Sequence, residues 1–337
     1  MIATLSPGKI ILFGEHAVVY DKLGIACSIN KKCNVKLSLS DKKIILINSK
    51  NLNLTSSLEE KELFDLHKEI SVFIKEKSFD KIKGTYENNE LIPSFFVLAS
   101  IFKKYGFKGL EIEIDSQVPK NLGSSSSVFS AISLGALKYL TKDFSKKDVS
   151  DFAYLGDVIA HGGTPSGIDN NAVTYGGYVK YKKSEGVKPL MIHFEIPLLI
   201  VDSGKKVKTS EMVSYVREQK NKNPNFVDSV LNSLNDISKK ALGVLISKNL
   251  NDLGILMTQY YKELKKLNIS TPELDKIVSI ALENSALGVK PTGAWGGGCC
   301  LVLTKNQKNL FNLKNVFNNN GFRSFQSKIG VKGVEVI

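Results

Sequence analysis

The sequence predicts an α+β protein of two domains, and three observations carry that reading. At 337 residues the chain is too long for one ordinary core and suits two domains of about 100 to 200 residues each. Its first third is rich in short apolar and alternating runs, whereas its second half sets long stretches of 3.6-residue periodicity among a few such runs. Hydrophobic residues at 42% and charged residues at 23% are the proportions of a globular protein with a sizeable core, which excludes a disordered or fibrous chain.

Taken in order, the first third reads as strands: KIILF from Lys9, the apolar run AVVY from Ala17, NVKLSLS from Asn34, KIILIN from Lys43 and GLEIEID from Gly109. In the last of these Leu110, Ile112 and Ile114 alternate with polar residues, as on a half-buried sheet face. The loop SQVPKNLG leads into a helix over 124–140, where Val128, Ala131, Ile132, Ala136, Leu137 and Leu140 share one side. A second helix opens at Ser145 with the capping pattern Ser145-Lys146-Lys147-Asp148 and runs to about residue 160, where HGGTPSG stops it. Beyond Asn170, AVTYGGYVKY reads as a strand or hairpin, and KKSEGVKP as a connector that sets the domain division at 1–185 and 186–337. The second domain starts with the strand-like MIHFEIPLLIVD and continues with helices over 210–219, 226–248, 250–267 and 272–287. The last has Thr271 as N-cap, Pro272 in its first turn and Gly288 past its end. CCLVLT is then a buried strand, residues 307–321 a helix and KGVEVI a terminal strand.

The formal net charge of +13 raises nucleic acid and acidic membranes as partners. The lysines are dispersed as pairs such as Lys31-Lys32, Lys103-Lys104, Lys146-Lys147, Lys205-Lys206 and Lys239-Lys240, with no stripe and no interleaved aromatic platform, so both are set aside. Cys27, Cys33, Cys299 and Cys300 have no Cys-x-x-Cys spacing, which excludes a zinc cluster and points to a reducing compartment. With no basic segment leading an apolar N-terminal region and no long apolar span, a cytoplasmic protein is expected.

Three distant stretches look built for a polyphosphate: Ser6-Pro7-Gly8-Lys9 running into GEHAVVY, LGSSSS at 122–127, and PTGAWGGGCC at 291–300. Each joins small residues, which let backbone approach a ligand, with hydroxyls, amides or charge that bind oxyanions. LGSSSS at a strand-to-helix junction is the clearest. A helix's first turn offers unpaired N–H groups and a favourable dipole to an anion, and Ser124 and Ser125 stand where hydroxyls can add to them. No lysine follows the glycine, so this is not the G-x-x-x-x-G-K-[ST] loop. Asp169, in PSGIDN, lies at an element end where a catalytic carboxylate can sit.

In order and spacing, PGKIILFGEHAVVY, LGSSSS, PSGIDN and TGAWGGGCC resemble the GHMP kinase superfamily over nearly the whole chain, and GEHAVVY with HGGTPSGIDN is most similar to its mevalonate-phosphorylating branch. That resemblance implies an N-terminal ATP-binding α+β domain with a left-handed βαβ crossover, and a C-terminal ferredoxin-like α/β plait with added helices. It implies transfer of phosphate from ATP to the 5-hydroxyl of mevalonate, with Mg²⁺ as cofactor. The alternative acceptors are phosphomevalonate, homoserine or a sugar. Oligomeric state is left open, a homodimer included.

Residue by residue, the resemblance implies that Asp169 and Lys9 are catalytic, Asp169 orienting the acceptor hydroxyl or taking its proton and Lys9 pairing with it. Pro119, Gly123, Ser124, Ser125 and Ser126 would cradle the nucleotide phosphates, and Ser125 with Asp157 would ligate the metal. Glu15, His16, Thr209, Gly293 and Gly296 would line the acceptor pocket. Three departures stand out. The phosphate loop Pro119-Lys120-Asn121-Leu122-Gly123 is shorter and poorer in glycine than the family pattern; Asp157 replaces a usual Glu, one position further from Asp169; and Trp295 stands at a usual Gly, where it would narrow the pocket or stack on a ligand.

Overall fold

The computed structural model of the chain describes residues 1–163 and 165–337, so Thr164 of HGGTPSG lies outside the described residues. The chain forms two compact units, one of Met1–Lys9, Asn30–Gly176 and Val331–Ile337, the other of Ile10–Ile29 and Gly177–Gly330. It passes from one unit to the other within its first two strands, β1 (Ile2–Phe13) and β2 (Gly24–Leu39).

Between those strands AVVY is a 3₁₀ turn, Ala17–Tyr20, rather than the expected strand. His16 at φ 59° turns the backbone out of the extended region just before it. β3 (Ile44–Ser49) and β4 (Leu54–Glu59) pair antiparallel. Three helices then follow where only strands were expected: α1 (Glu60–Glu76), α2 (Phe79–Asn88) and α3 (Ile92–Tyr105). In α3 the run from Phe95 to Ala99 is buried without a break, which erases the one-sided pattern that marks a surface helix.

β5 (Leu110–Ser116) has the expected alternation, with Leu110, Ile112 and Ile114 inward. α4 (Ser124–Leu140) and α5 (Lys146–Ala160) also form as expected. At the N-cap of α5 the Ser145 N–H donates to Asp148 Oδ2 at 2.9 Å, and Ser145 Oγ accepts from the Asp148 N–H at 3.2 Å. Residues expected to begin a strand instead form α6 (Ile168–Tyr175), which ends because Gly176 and Gly177 both adopt positive φ. The expected connector belongs to a hairpin, β6 (Tyr178–Lys182) with β7 (Gly186–Leu190).

Next come β8 (Leu198–Asp202), α7 (Thr209–Lys222), α8 (Pro224–Ser247), α9 (Leu250–Lys265) and α10 (Pro272–Glu283). Thr271 caps α10 by accepting from the Leu274 N–H, yet the helix stops short of residue 287 because the Leu287 N–H is drawn to the Leu303 carbonyl of the sheet. The chain closes with β9 (Gly288–Thr292), β10 (Cys299–Leu303), α11 (Gln307–Asn319), β11 (Arg323–Gln326) and β12 (Glu335–Val336).

In the first unit the strand order is β12-β1-β2-β5-β3-β4, with β3 and β5 as parallel neighbours. Its core gathers Val35, Leu37, Ile47, Phe95, Phe102 and Ile132 among others, from the sheet and from α3 and α4. In the second unit a wholly antiparallel sheet runs β11-β8-β10-β9. Counting from β8, that is the 4-1-3-2 order of a ferredoxin-like plait, with α7 to α10 inserted in its first crossover and α11 forming the second. Among the described residues, no helix is long and apolar enough to cross a membrane.

Candidate active site

In the first unit, β1 delivers Lys9 into the interior, where it is 2% exposed. The Lys9 N–H donates to the Leu122 carbonyl at 2.7 Å, which ties the strand to the loop ahead of α4. Gly123 follows at φ 85°, and a Cβ there would lie 2.8 Å from Lys9 Cγ. A glycine is therefore required twice, by its own backbone and by the lysine stem crossing it. The Lys9 ammonium ends 2.8 Å from Asp169 Oδ1, with the lysine side chain 3% exposed and that of Asp169 26%. Asp169 sits in the first turn of α6, not in a loop, and Gly167 at φ 89° starts that helix.

The serine tract forms the first turn of α4, on a tight turn in which the Leu122 N–H donates to the Pro119 carbonyl at 3.2 Å and Asn121 takes φ 71°. Lys120 of that short loop is exposed. The hydroxyls divide by direction. Ser127 Oγ donates back to the Ser124 carbonyl at 2.7 Å, and Ser126 Oγ is shared between both carboxylate oxygens of Asp157 at 2.8 and 2.9 Å. Ser124 and Ser125 are half-buried, and their hydroxyls make no hydrogen bond to protein among the described residues. Asp157 comes this close because its neighbour is Gly156, where a Cβ would strike the Phe129 ring of α4 at 2.5 Å. Burial, and then the charge of Asp169, push the Asp157 carboxyl well above the usual carboxylate range, against the Ser126 hydrogen bond and Lys9. His161 Nε2 lies 3.7 Å from Asp157 Oδ1, and burial lowers the pKa of its ring.

The second unit holds the GEH turn. Tyr260 of α9 accepts from the Gly14 N–H at 3.1 Å and donates to the Glu15 carbonyl at 3.0 Å. The Glu15 carboxylate, expected in an acceptor pocket, is fully buried on the ammonium of Lys290 from β9. Burial lowers the lysine's pKa while Glu15 raises it. His16 Nε2 is 2.9 Å from the Ala294 carbonyl, and burial brings its pKa down to about 4.

Ala294 belongs to the glycine-rich turn between β9 and β10, where Gly293 and Gly296 take φ 89° and 71°. Side chains at Gly296 and Gly297 would collide with Met212 and with the Lys205 carbonyl. Trp295 is wholly buried, stacked on Tyr261 with centroids 5.8 Å apart. Thr209, half-buried, is the first residue of α7.

The structure thus brings together Lys9, Asp169, Gly123 and the head of α4 in one unit, and Glu15, His16 and the glycine-rich turn in the other. Sequence reasoning missed Lys290 and Tyr260, and it set Ser126 on the nucleotide phosphates, whereas the buried Ser126 hydroxyl is turned to Asp157. A lysine inside the apolar run Gly288–Thr292 was a readable signal, since a cation there needs a buried partner. Nothing in the sequence marks Tyr260.

Residues 94–177 match the GHMP kinases N terminal domain, and residues 240–322 match GHMP kinases C terminal. The chain belongs to the GHMP kinase family, phosphotransferases that use ATP and an alcohol acceptor. The mevalonate kinase of Pyrococcus furiosus is 30% identical over 316 residues, 90% of this chain and 89% of that protein. The mevalonate kinase of Methanocaldococcus jannaschii is 31% identical over 311 residues, 90% and 92% of the two chains. A crystal structure of the Methanococcus jannaschii mevalonate kinase matches with a TM-score of 0.78 at 26% identity, over 97% of this chain and 98% of that one. Within the GHMP kinases, this chain stands with the mevalonate kinases.

Proposed function

We propose that this chain transfers the γ-phosphoryl group of ATP to the 5-hydroxyl of mevalonate, giving 5-phosphomevalonate and ADP. The observation that carries the chemistry is the Lys9–Asp169 ion pair at 2.8 Å, tied through the Lys9 N–H to the loop that opens α4. Phosphoryl transfer depends on positioning and charge neutralisation more than on covalent help from the protein. Asp169, the more exposed partner, accepts a hydrogen bond from the acceptor hydroxyl, orients it, and takes its proton late as the new P–O bond forms. Lys9 holds that carboxylate in place and faces the transferring group with its positive charge. The free N–H groups at the head of α4, with the Ser124 and Ser125 hydroxyls and the Pro119–Gly123 turn, bind the phosphate oxygens.

A magnesium ion fits the residues present. Its donors would be oxygens: Ser125 has a first-turn hydroxyl with no protein hydrogen bond among the described residues, and Asp157 is a buried carboxyl whose charged form burial disfavours and a cation would favour. Ser125 and Asp157 would hold the ion, which would neutralise phosphate charge when bound, and Ser126 hydrogen-bonds the Asp157 carboxyl. His16, Thr209, Gly293 and Gly296 would meet the acceptor, and Glu15 would act indirectly through Lys290 by holding the His16 turn. Four free, buried cysteines agree with a reducing cytoplasm.

Release of ADP with mevalonate, phosphomevalonate, homoserine and galactose in parallel tests the proposal. Turnover with mevalonate at least ~10²-fold above the others in kcat/KM is expected. Preferred turnover of another acceptor would replace the substrate, and no ADP release with any would remove the kinase reading.

A further inference from the structure

Trp295 adopts φ 64°, a left-handed backbone that a bulky side chain enters only under strain and that glycine enters freely. Four glycines of the same turn, Gly293, Gly296, Gly297 and Gly298, take positive φ without that strain. An indole at this position therefore has to be offset by what it packs against. Complete burial of the indole supplies that offset. The ring lies against Tyr261 at an interplanar angle of 21°, and Nε1 has no hydrogen-bond partner in the protein among the described residues. Packing alone holds it.

The residues on either side of Trp295 are both tethered. The Ala294 carbonyl takes the hydrogen bond from His16 Nε2, and the Gly296 N–H donates to the Ile269 carbonyl at 2.9 Å. Tyr260, next to Tyr261 on α9, holds Gly14 and Glu15 on the opposite side of the same bond. One turn of α9 thus fixes both partners of the His16–Ala294 contact, one through a hydroxyl and the other through a stacked ring.

We propose that Trp295 is a positioning residue: by locking the glycine-rich turn onto α9 it keeps the Ala294 carbonyl on His16 Nε2, and so fixes which ring nitrogen His16 offers to the acceptor. A carbonyl only accepts, so Nε2 carries the proton and Nδ1 is left as a bare acceptor. Burial keeps the ring neutral near pH 7. A histidine in that state takes a hydrogen bond from a substrate hydroxyl and gives none to a carboxylate. This rests on the reading above that His16 meets the acceptor.

The test is ¹⁵N NMR of histidine-labelled protein, with the His16 signals identified by their loss in His16→Gln. In the wild type at pH 7, a neutral ring protonated at Nε2 is expected. Trp295→Gly, which relieves the backbone and removes the ring, should shift His16 toward a mixture of tautomers. It should also raise KM for mevalonate about tenfold while KM for ATP is unchanged and kcat stays within ~3-fold. Trp295→Phe keeps a ring for Tyr261 and loses no hydrogen bond, so it should restore both readouts. If Trp295→Gly does not fold, Tyr261→Leu removes the other ring and takes its place. A wild-type His16 that is charged or protonated at Nδ1 overturns the proposal, as does a folded Trp295→Gly with unchanged His16 signals. Altered signals with an unchanged mevalonate KM would uphold the positioning role and instead remove His16 from acceptor binding.

Discussion

Asp169 is the residue whose replacement separates chemistry from binding. Asp169→Asn keeps the size of the side chain and its place in the first turn of α6 but removes the charge that Lys9 meets at 2.8 Å. A fall in kcat of at least ~10²-fold with KM for ATP little changed is expected from steady-state kinetics; an almost fully active variant would refute the assignment. Lys290 makes the opposite kind of prediction, about stability. Lys290→Met strands the buried Glu15 carboxylate, and a loss of ~3–5 kcal/mol in urea unfolding is expected, largely recovered when Glu15→Gln is added. A single variant as stable as wild type would contradict the pairing. At this scale, the meeting of Lys9 with Asp169 was expected from the family resemblance and not from composition, since either residue read alone fits a surface or a turn, and the ion pair is present. Which serine meets Asp157 was not legible. Successive hydroxyls in a first turn point about 100° apart, and the choice of Ser126 depends on a helix packed 31 residues further along.

At the scale of elements, α5 shows how a helix interface sets a functional distance. Gly156 has no side chain where α5 crosses Phe129, and that closeness lets Asp157 reach Ser126. Helix propensity alone says Gly156→Ala gains ~1 kcal/mol, but a Cβ 2.5 Å from an aromatic ring says overpacking costs ~1–3 kcal/mol. The second effect is larger, so the variant should unfold at lower temperature than wild type; a raised melting temperature would show that the two helices separate freely. The helices with caps or one apolar stripe, such as α5 and α10, could be read from sequence because a local signal fixes them. AVVY and the start of α6 could not, since a four-residue apolar run fits a strand as well as a turn, and only the positive φ of His16 and of Gly167 decides between them. YVKY was readable as the strand β6, but its partner β7 was not, because KKSEGVKP has the polar composition of a connector and the hairpin is fixed by the pairing of β6 with Gly24–Cys27 of β2, far away in sequence.

For the molecule as a whole, the buried imidazoles couple stability to acid. His16, His67 and His161 all have ring pKa values lowered by burial, His16 from its ordinary 6.5 to about 4. The unfolded chain binds a proton at His16 as pH falls through 6.5, whereas the folded chain does not until about pH 4, so stability declines across that window and is fully present above it. The shift corresponds to about 3 kcal/mol, with no discount for solvent because the ring is 5% exposed. Asp157 slopes the other way, since a carboxyl raised in the folded state favours folding at low pH, so the total curve does not isolate His16. His16→Gln does isolate it, because the Asp157, His67 and His161 contributions are common to both proteins and cancel in the difference. Urea unfolding can be followed by fluorescence of Trp295, the one tryptophan of the chain and buried in the same unit as His16. Wild type minus His16→Gln stability should fall by about 3 kcal/mol between pH 7 and pH 4, and a flat difference would mean that the imidazole is charged or solvated in the folded protein, in conflict with its burial.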